Sequence, residues 1–240
     1  MSKNRLSLLI FLVVFISNIK AQSFSQGDIV LNGNIGTPHL FKKIIKVAAN
    51  SNTFKKNFGD VLEISPIKGF NPVALKGEYR MNDMFSLGLN YSFWSIKFDV
   101  TDYYNLQNQN VVVKDSADVY SIKITSRSFG IRPNFHIPFE NQKNDIYIGV
   151  GLGFTSNKLN INFSSTDIGR LAKSFGKDLE YDLSLPGGIY FAPSLGYRHY
   201  FNPFFGLNFE IGYEKGAILQ AGLVVKFKTK KADKKEEKKN

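Results

Sequence analysis

Phe85-Ser-Leu-Gly-Leu-Asn-Tyr-Ser-Phe93 decides the fold. Every odd position in it is large and apolar, and every even position is small or polar. Successive side chains of a β-strand point to opposite faces, so this segment has one greasy face and one that is not. A helix would need its apolar residues three and four apart, which this stretch does not provide.

The same alternation recurs on both sides of it. Val73, Leu75, Tyr79 and Met81 oppose Ala74, Lys76, Glu78 and Arg80. Phe129, Ile131, Phe135 and Ile137 oppose Gly130, Arg132, Asn134 and His136. Ile146 to Phe154 sets Ile, Ile, Val, Leu and Phe against Tyr147, three glycines and Thr155. Phe191, Leu195 and Tyr197 oppose Ala192, Ser194, Gly196 and Arg198. Phe205 to Tyr213 opposes Gly206 to Glu214, and Leu219 to Phe227 opposes Gln220 to Lys226. With a weaker copy at Ile29, Leu31 and Ile35 against Asp28, Asn32 and Asn34, the pattern predicts eight strands. Each core is roughly 9–11 residues, the length a tilted strand needs to cross a bilayer. Trp94–Val100, Val119–Thr125 and Leu159–Phe163 continue to alternate, but the parity slips near Phe93 and Ser126, which reads as bulges or as extensions beyond the membrane.

A soluble barrel also alternates, so the chemistry of the two faces has to decide. One set is almost free of charge from end to end, and in water it would form an apolar patch far beyond the few hundred Å² that soluble monomers expose. In lipid such a band is required, and closing the sheet pairs every backbone group. The fold class expected is therefore all-β, a closed antiparallel eight-stranded transmembrane β-barrel. The joints between strands agree. Thr37 to Gly69, Thr101 to Asp118 and Ser164 to Gly187 are long, and Asn82-Asp83, Pro138 to Asn144 and Asn202-Pro203 are short, with Lys215-Gly216 closing the last pair. Transmembrane barrels alternate long external loops with short periplasmic turns in this way. Aromatics gather toward strand ends, with Phe135, Phe139, Phe201, Phe204 and Phe227 expected at one interface and Tyr91, Phe93, Trp94, Phe154, Tyr190 and Tyr213 at the other.

The first residues carry Lys3 and Arg5, then an apolar run from Leu6 to Ser17, then Ala21. That is the three-part pattern of a cleaved secretory signal over 1–21, leaving the barrel over 22–227 and a charged, disordered tail over 228–240. There is no cysteine, so disulfides, thiol catalysis and cysteine-held zinc are excluded. Of the formal +11, three charges sit in the leader and a net four in the tail, which leaves the body near +4. That is no footprint for nucleic acid.

On these residues the chain resembles the small outer-membrane β-barrel proteins of Gram-negative bacteria, the OmpA/OmpX-like and PorT-like barrels of the Bacteroidota. Gly27 to Gly36 looks like their first strand, Pro72 to Arg80 like the second, and Leu219 to Phe227 like the closing strand. The resemblance implies an outer-membrane location and makes Phe227 the terminal aromatic that the barrel-assembly machinery recognises. One departure is that a charged tail of thirteen residues follows it. It implies no single activity, since such barrels serve many roles.

Lys76, Glu78, Arg80, Arg132, His136, Arg198, Glu210, Glu214 and Lys226 are expected in the lumen, where opposite charges in a narrow interior pair and plug it. A gate or a narrow path for small solutes is the alternative. His39, His136 and His199 are the only histidines. His136 and His199 fall toward the periplasmic ends of their strands, and His39 has no serine and acid beside it, so no catalytic residue is assigned. No metal-ligand spacing and no cofactor motif appears; Gly149 to Gly153 continues as strand rather than opening a helix, unlike a phosphate loop. Amphipathic helices are expected at Phe41, Ile44, Ile45 and Ala48, with Lys42, Lys43 and Lys46 opposite, and at Ile168 to Phe175, capped by Thr166 or Asp167 and stopped by Gly176. The first suits an anionic membrane surface such as lipopolysaccharide. The functions left open are a non-enzymatic structural, envelope-assembly or secretion role with an envelope partner, a narrow porin-like pore, and a lipid-modifying enzyme.

Overall fold

The computed structural model describes residues 25–52, 54, 62–106, 111–137, 143–177, 179–214 and 216–228. The expected signal over 1–21 and nearly all of the expected tail lie outside them, as does Phe139. The elements are β1 (Ile29–Thr37), α1 (Leu40–Ala49), β2 (Leu62–Ile64), β3 (Lys68–Arg80), β4 (Phe85–Leu106), β5 (Val111–Ile137), β6 (Asn144–Ser165), α2 (Asp167–Ser174), β7 (Glu180–Tyr200), β8 (Phe205–Glu214) and β9 (Ala217–Phe227). Neighbouring strands run β4-β3-β1-β9-β8-β7-β6-β5, and pairing of β4 with β5 closes the ring of eight. The short β2 adds to the outer part of β4, opposite Val100 to Asp102.

The alternation predicted from sequence is the alternation observed. Burial along β1 switches at every residue, with Ile29, Leu31 and Ile35 outward and Asn32 and Asn34 buried. The exterior band is made of leucine, isoleucine, phenylalanine and tyrosine, and the interior holds nearly all the buried polar side chains. An exterior of this kind is a lipid-facing one. The first and last strands meet in register from Ile29 with Phe227 to Thr37 with Leu219, so the ring has no free edge within the band.

Glycines leave room where the interior is crowded. A Cβ on Gly196 would lie 2.1 Å from the Tyr147 ring, and one on Gly149 would lie 2.7 Å from the Arg132 guanidinium. These two positions admit the largest side chains of the lumen.

Three expectations need correcting. Of the two readings of the slips near Phe93 and Ser126, strand extension holds and a bulge in β4 or β5 does not, because these strands pair without interruption from Phe85 with Phe135 to Tyr103 with Ala117. What changes is the chemistry of each face. Below, Asn90 and Ser92 point in; above, on the same parity, Trp94, Ile96 and Phe98 are buried while Lys97 is exposed. True irregularities lie on the neighbouring strands, between Phe70 and Val73 of β3, opposite Phe93 to Ser95, and between Thr155 and Asn157 of β6, opposite the Pro186–Gly188 segment of β7. Second, the joint expected over Thr101–Asp118 is largely strand and that over Ser164–Gly187 is strand at both ends around α2, since β4 to β7 continue 21 to 27 residues each. Third, Trp94 and Tyr190 are not interface aromatics; both are buried on the inner face.

The rim is therefore uneven. β8 and β9 end at the tight turn by Gly216, and β7 pairs with β8 only from Ser194 downward. β4 to β7 stand above that level as a four-stranded sheet.

Candidate functional site

The lumen gathers the charged residues into one connected network. Glu210, on β8, accepts from Lys76 Nζ at 2.7 Å, Arg132 Nη2 at 2.9 Å, Tyr147 OH at 2.7 Å and Ser194 Oγ at 3.2 Å. Glu214, two inward positions further along β8, faces Arg132 Nη1 at 2.9 Å and Lys76 Nζ at 3.1 Å. Two carboxylates thus share two cations, contributed by β3 and β5. Arg198, on β7, joins Glu78 to Asp145, lying 3.2 Å from Asp145 Oδ2, and its guanidinium sits 4.1 Å from the centroid of the Tyr147 ring. Arg80 lies at the network's lower end, 4.0 Å from Asp145. Lys226 stands over the Tyr200 ring at 4.8 Å, where Val30, Tyr200 and Val224 form an apolar floor.

Of the residues expected in the lumen, all nine are buried there, and the ion pairs and hydrogen bonds join Lys76, Glu78, Arg80, Arg132, His136, Arg198, Glu210 and Glu214, while Lys226 lies on the floor over Tyr200. Arg132 and Arg198 are each 1% exposed, and Lys226 is not exposed at all. Buried charges are tolerated only when paired and hydrogen-bonded. Here they are, and the bore is filled by side chains.

Sequence reasoning missed one arrangement. Ser86 Oγ lies 2.8 Å from His136 Nε2, and His136 Nδ1 lies 2.7 Å from Asp145 Oδ1. This is the order of an acyl-transfer relay. Ser86 is fully buried, however, and its hydroxyl also donates to Glu78 at 3.3 Å. The relay runs into the lumen ion pairs rather than to a surface that a substrate could reach, and it acts as part of the same polar mesh. Its members lie on three strands, 50 and 9 residues apart, so no local motif announces it. His199 faces Asn144 at 2.8 Å and packs edge-on against Phe201, and His39 belongs to the mouth.

At the mouth, the N-terminal end of α1 sits on the barrel. The Leu40 N–H donates to the Gly216 carbonyl at 2.7 Å. Phe41 stacks on Trp94 with centroids 4.6 Å apart, and His39, the N-cap, meets the same indole edge-on at 5.1 Å. Burial, with Lys42 nearby, lowers the His39 pKa below that of a free imidazole. Ile44 and Val47 further along α1 remain exposed. The second expected helix forms as α2, with the Thr166 carbonyl accepting from the Arg170 N–H and Gly176 at φ +72° ending it.

A closed eight-stranded antiparallel ring with an apolar exterior and a charged, filled interior defines a small transmembrane β-barrel. No family model matches the chain, and no curated protein matches it. Among solved structures it is similar to the outer membrane protein OprG from Pseudomonas aeruginosa, at 14% identity and TM-score 0.44 over 88% of this chain and 100% of that one. It is similar to the N-terminal β-barrel domain of Pseudomonas aeruginosa OprF, at 14% and 0.34 over 85% and 100%. It is also similar to Ail, the attachment invasion locus protein of Yersinia pestis, at 16% and 0.34 over 84% and 99%. Ring closure and the chemistry of the two faces, rather than likeness at this level, make the chain a small β-barrel of the outer-membrane kind.

Proposed function

We propose that the chain is a non-enzymatic outer-membrane protein of a Gram-negative bacterium with a structural or interaction role in envelope assembly or secretion. The observation that carries this reading is the contrast between a bore filled by buried ion pairs and a tall, exposed sheet on β4 to β7. A filled bore leaves the projecting sheet as the surface a partner meets. In this reading the signal over 1–21 directs export, Phe227 is the aromatic that the barrel-assembly machinery engages, and the tail over 228–240 lies in the periplasm.

The test is heat-modifiability in a washed outer-membrane fraction, with unboiled and boiled samples compared by gel, followed by single-channel recording in planar bilayers. A mobility shift without conductance is expected. A soluble periplasmic protein with no shift overturns the reading. A steady conductance altered by Lys76→Gln or Arg132→Gln replaces it with a narrow pore.

A further inference from the structure

Five outward-facing cations stand just above the lipid-facing band on the tall side of the barrel. The top of the band is a cross-strand row, Leu75, Tyr91, Phe129, Phe154 and Ile189, one residue on each of β3 to β7. Phe129, Phe154 and Ile189 in that row are well exposed. Two residues further up β5, on the same face, is Arg127, and two residues further again is the row that carries Lys158 beside Thr125. The next row reads Lys68, Lys97, Lys123, Asn160 and Asp182, in direct register across five strands.

Three lysines side by side are an unfavourable arrangement, because like charges directly opposite on neighbouring strands repel. The ion pairs among the described residues involve Lys76, Arg80, Arg132, His136, Arg170 and Arg198, and none of these five cations. The acids on this face lie beyond or beside the lysines and are engaged elsewhere. Glu180 and Asp182 accept from Asn160 Nδ2 at 2.6 and 2.7 Å, and Asp99 accepts from Ser121 Oγ. Arg127 and Lys158 thus stand nearer the membrane than any of these acids, while Asp182 shares the lysine row and Glu180 lies two residues beyond it. Lys97, Lys123, Arg127 and Lys158 line a shared groove of about 600 Å³ together with serine, threonine and asparagine side chains that can donate hydrogen bonds, and Glu180 and Asp182 close its far side, so cations outnumber acids there by four to two.

We propose that this groove binds the phosphates of a phosphorylated glycolipid headgroup in the outer leaflet. The proposal rests on the reading of the exterior band as lipid-facing. Two features select this occupant. The cations continue the face that meets the acyl chains, so a molecule whose tails lie against Phe129 and Phe154 carries its headgroup into the groove. The depth also fits: at about 3.3 Å per residue the cations lie about 7 to 20 Å along the strands above the aromatic row, which at a tilt of about 35–45° is about 5 to 16 Å of height, and the upper part exceeds the roughly 5–8 Å interfacial layer of a simple phospholipid leaflet. A headgroup built of several sugars bearing phosphates at different heights spans that range. Long lysine side chains reach down toward it while their stems cover apolar surface.

The experiment uses the full chain reconstituted into phosphatidylcholine vesicles, with and without lipopolysaccharide, and reads the temperature at which half of the protein loses heat-modifiable mobility. The proteins compared are the wild type, Lys97→Gln/Lys123→Gln, Arg127→Gln/Lys158→Gln, and Lys42→Gln/Lys43→Gln on α1 as a basic surface off the groove. Lipopolysaccharide is expected to raise the wild-type and α1-variant midpoints, and dephosphorylated lipopolysaccharide to raise them much less. Each groove variant is expected to lose more than half of the rise. In phosphatidylcholine alone Lys97→Gln/Lys123→Gln is expected to match or exceed the wild type, because the repulsion is gone. An undiminished rise in both groove variants overturns the proposal, as does inorganic tripolyphosphate reproducing the rise in phosphatidylcholine vesicles, which would assign the groove to a soluble polyanion. Absence of heat-modifiable mobility in every vesicle would overturn the membrane-barrel reading itself, an outcome distinct from either.

Discussion

The lower barrel and the upper sheet are built on the same strands with opposite chemistry. On β4, the inward set runs Ser86, Asn90, Ser92 and then, with no break in pairing, Trp94, Ile96 and Phe98. The outward set runs Leu87, Leu89, Tyr91 and then, beyond the buried Ser95, Lys97 and Asp99. β5 does the same: Arg132 and Ser128 give way inside to Ile124 and Ile122, and Ile131 and Phe129 give way outside to Arg127 and Lys123. The backbone is indifferent to the change. What differs is the solvent that each face meets, lipid below and water above, so one continuous hairpin carries two patterns of burial.

That contrast can be broken most severely in the lumen. Glu210→Leu removes the acceptor shared by Lys76, Arg132, Tyr147 and Ser194. Breaking a buried pair leaves an uncompensated charge, and a loss of about 3–5 kcal/mol is expected in equilibrium unfolding from vesicles. An equivalent change in the water-exposed groove, Lys123→Leu, is expected to fall within about 0.5 kcal/mol.

The outward face sharpens the comparison. Leu89→Arg places a cation in the lipid-facing band and should destabilise by about 2–4 kcal/mol. Thr125→Arg, outward on the adjacent strand but above the band, should change stability by less than about 0.5 kcal/mol in the same assay. Equal losses at the two sites would mean that the boundary is not where the aromatic row puts it.

Smaller effects are expected at the mouth, where Trp94 is the single tryptophan of the chain and so a clean reporter. Phe41→Ala removes a stacked ring worth about 0.5–1.5 kcal/mol, and Trp94 emission should move to the red while heat-modifiability stays intact. The smallest effect is one of pH. Because the His39 pKa is lowered in the folded protein, the unfolded chain takes up the proton first as the pH falls. The contribution of neutral His39 is therefore complete above the ordinary imidazole value of 6.5 and fades as the pH falls below it. Trp94 emission should report that change, and His39→Asn, a cap that does not titrate there, should abolish it.

The eight membrane strands were legible because lipid imposes a strict alternation, and Phe85 to Phe93 or Ile146 to Phe154 can satisfy it in only one way. The lumen residues were legible as a set for the same reason. Which cation meets which acid was not, because it depends on register around the ring, and Lys76 and Glu210 are 134 residues apart. The upward extension of β4 and β5 was visible as continued alternation, but the exchange of chemistry between faces looked like a shift of parity. The extension of β7 was hidden, since Glu180, Asp182 and Pro186 read as loop. The lysine row could not be seen at all from Lys68, Lys97 and Lys123 separately; only the pairing aligns them.

The uneven rim has one more consequence. Above Ser194 the outer edge of β7 has no strand beside it among the described residues, and an open edge invites another chain to add itself. This edge is guarded. Pro186 and Pro193 offer no N–H, and Glu180 and Asp182 place charge where a newcomer would have to dock. The residues that disguised this strand in the sequence are the ones that guard the edge of the tall sheet against strand addition.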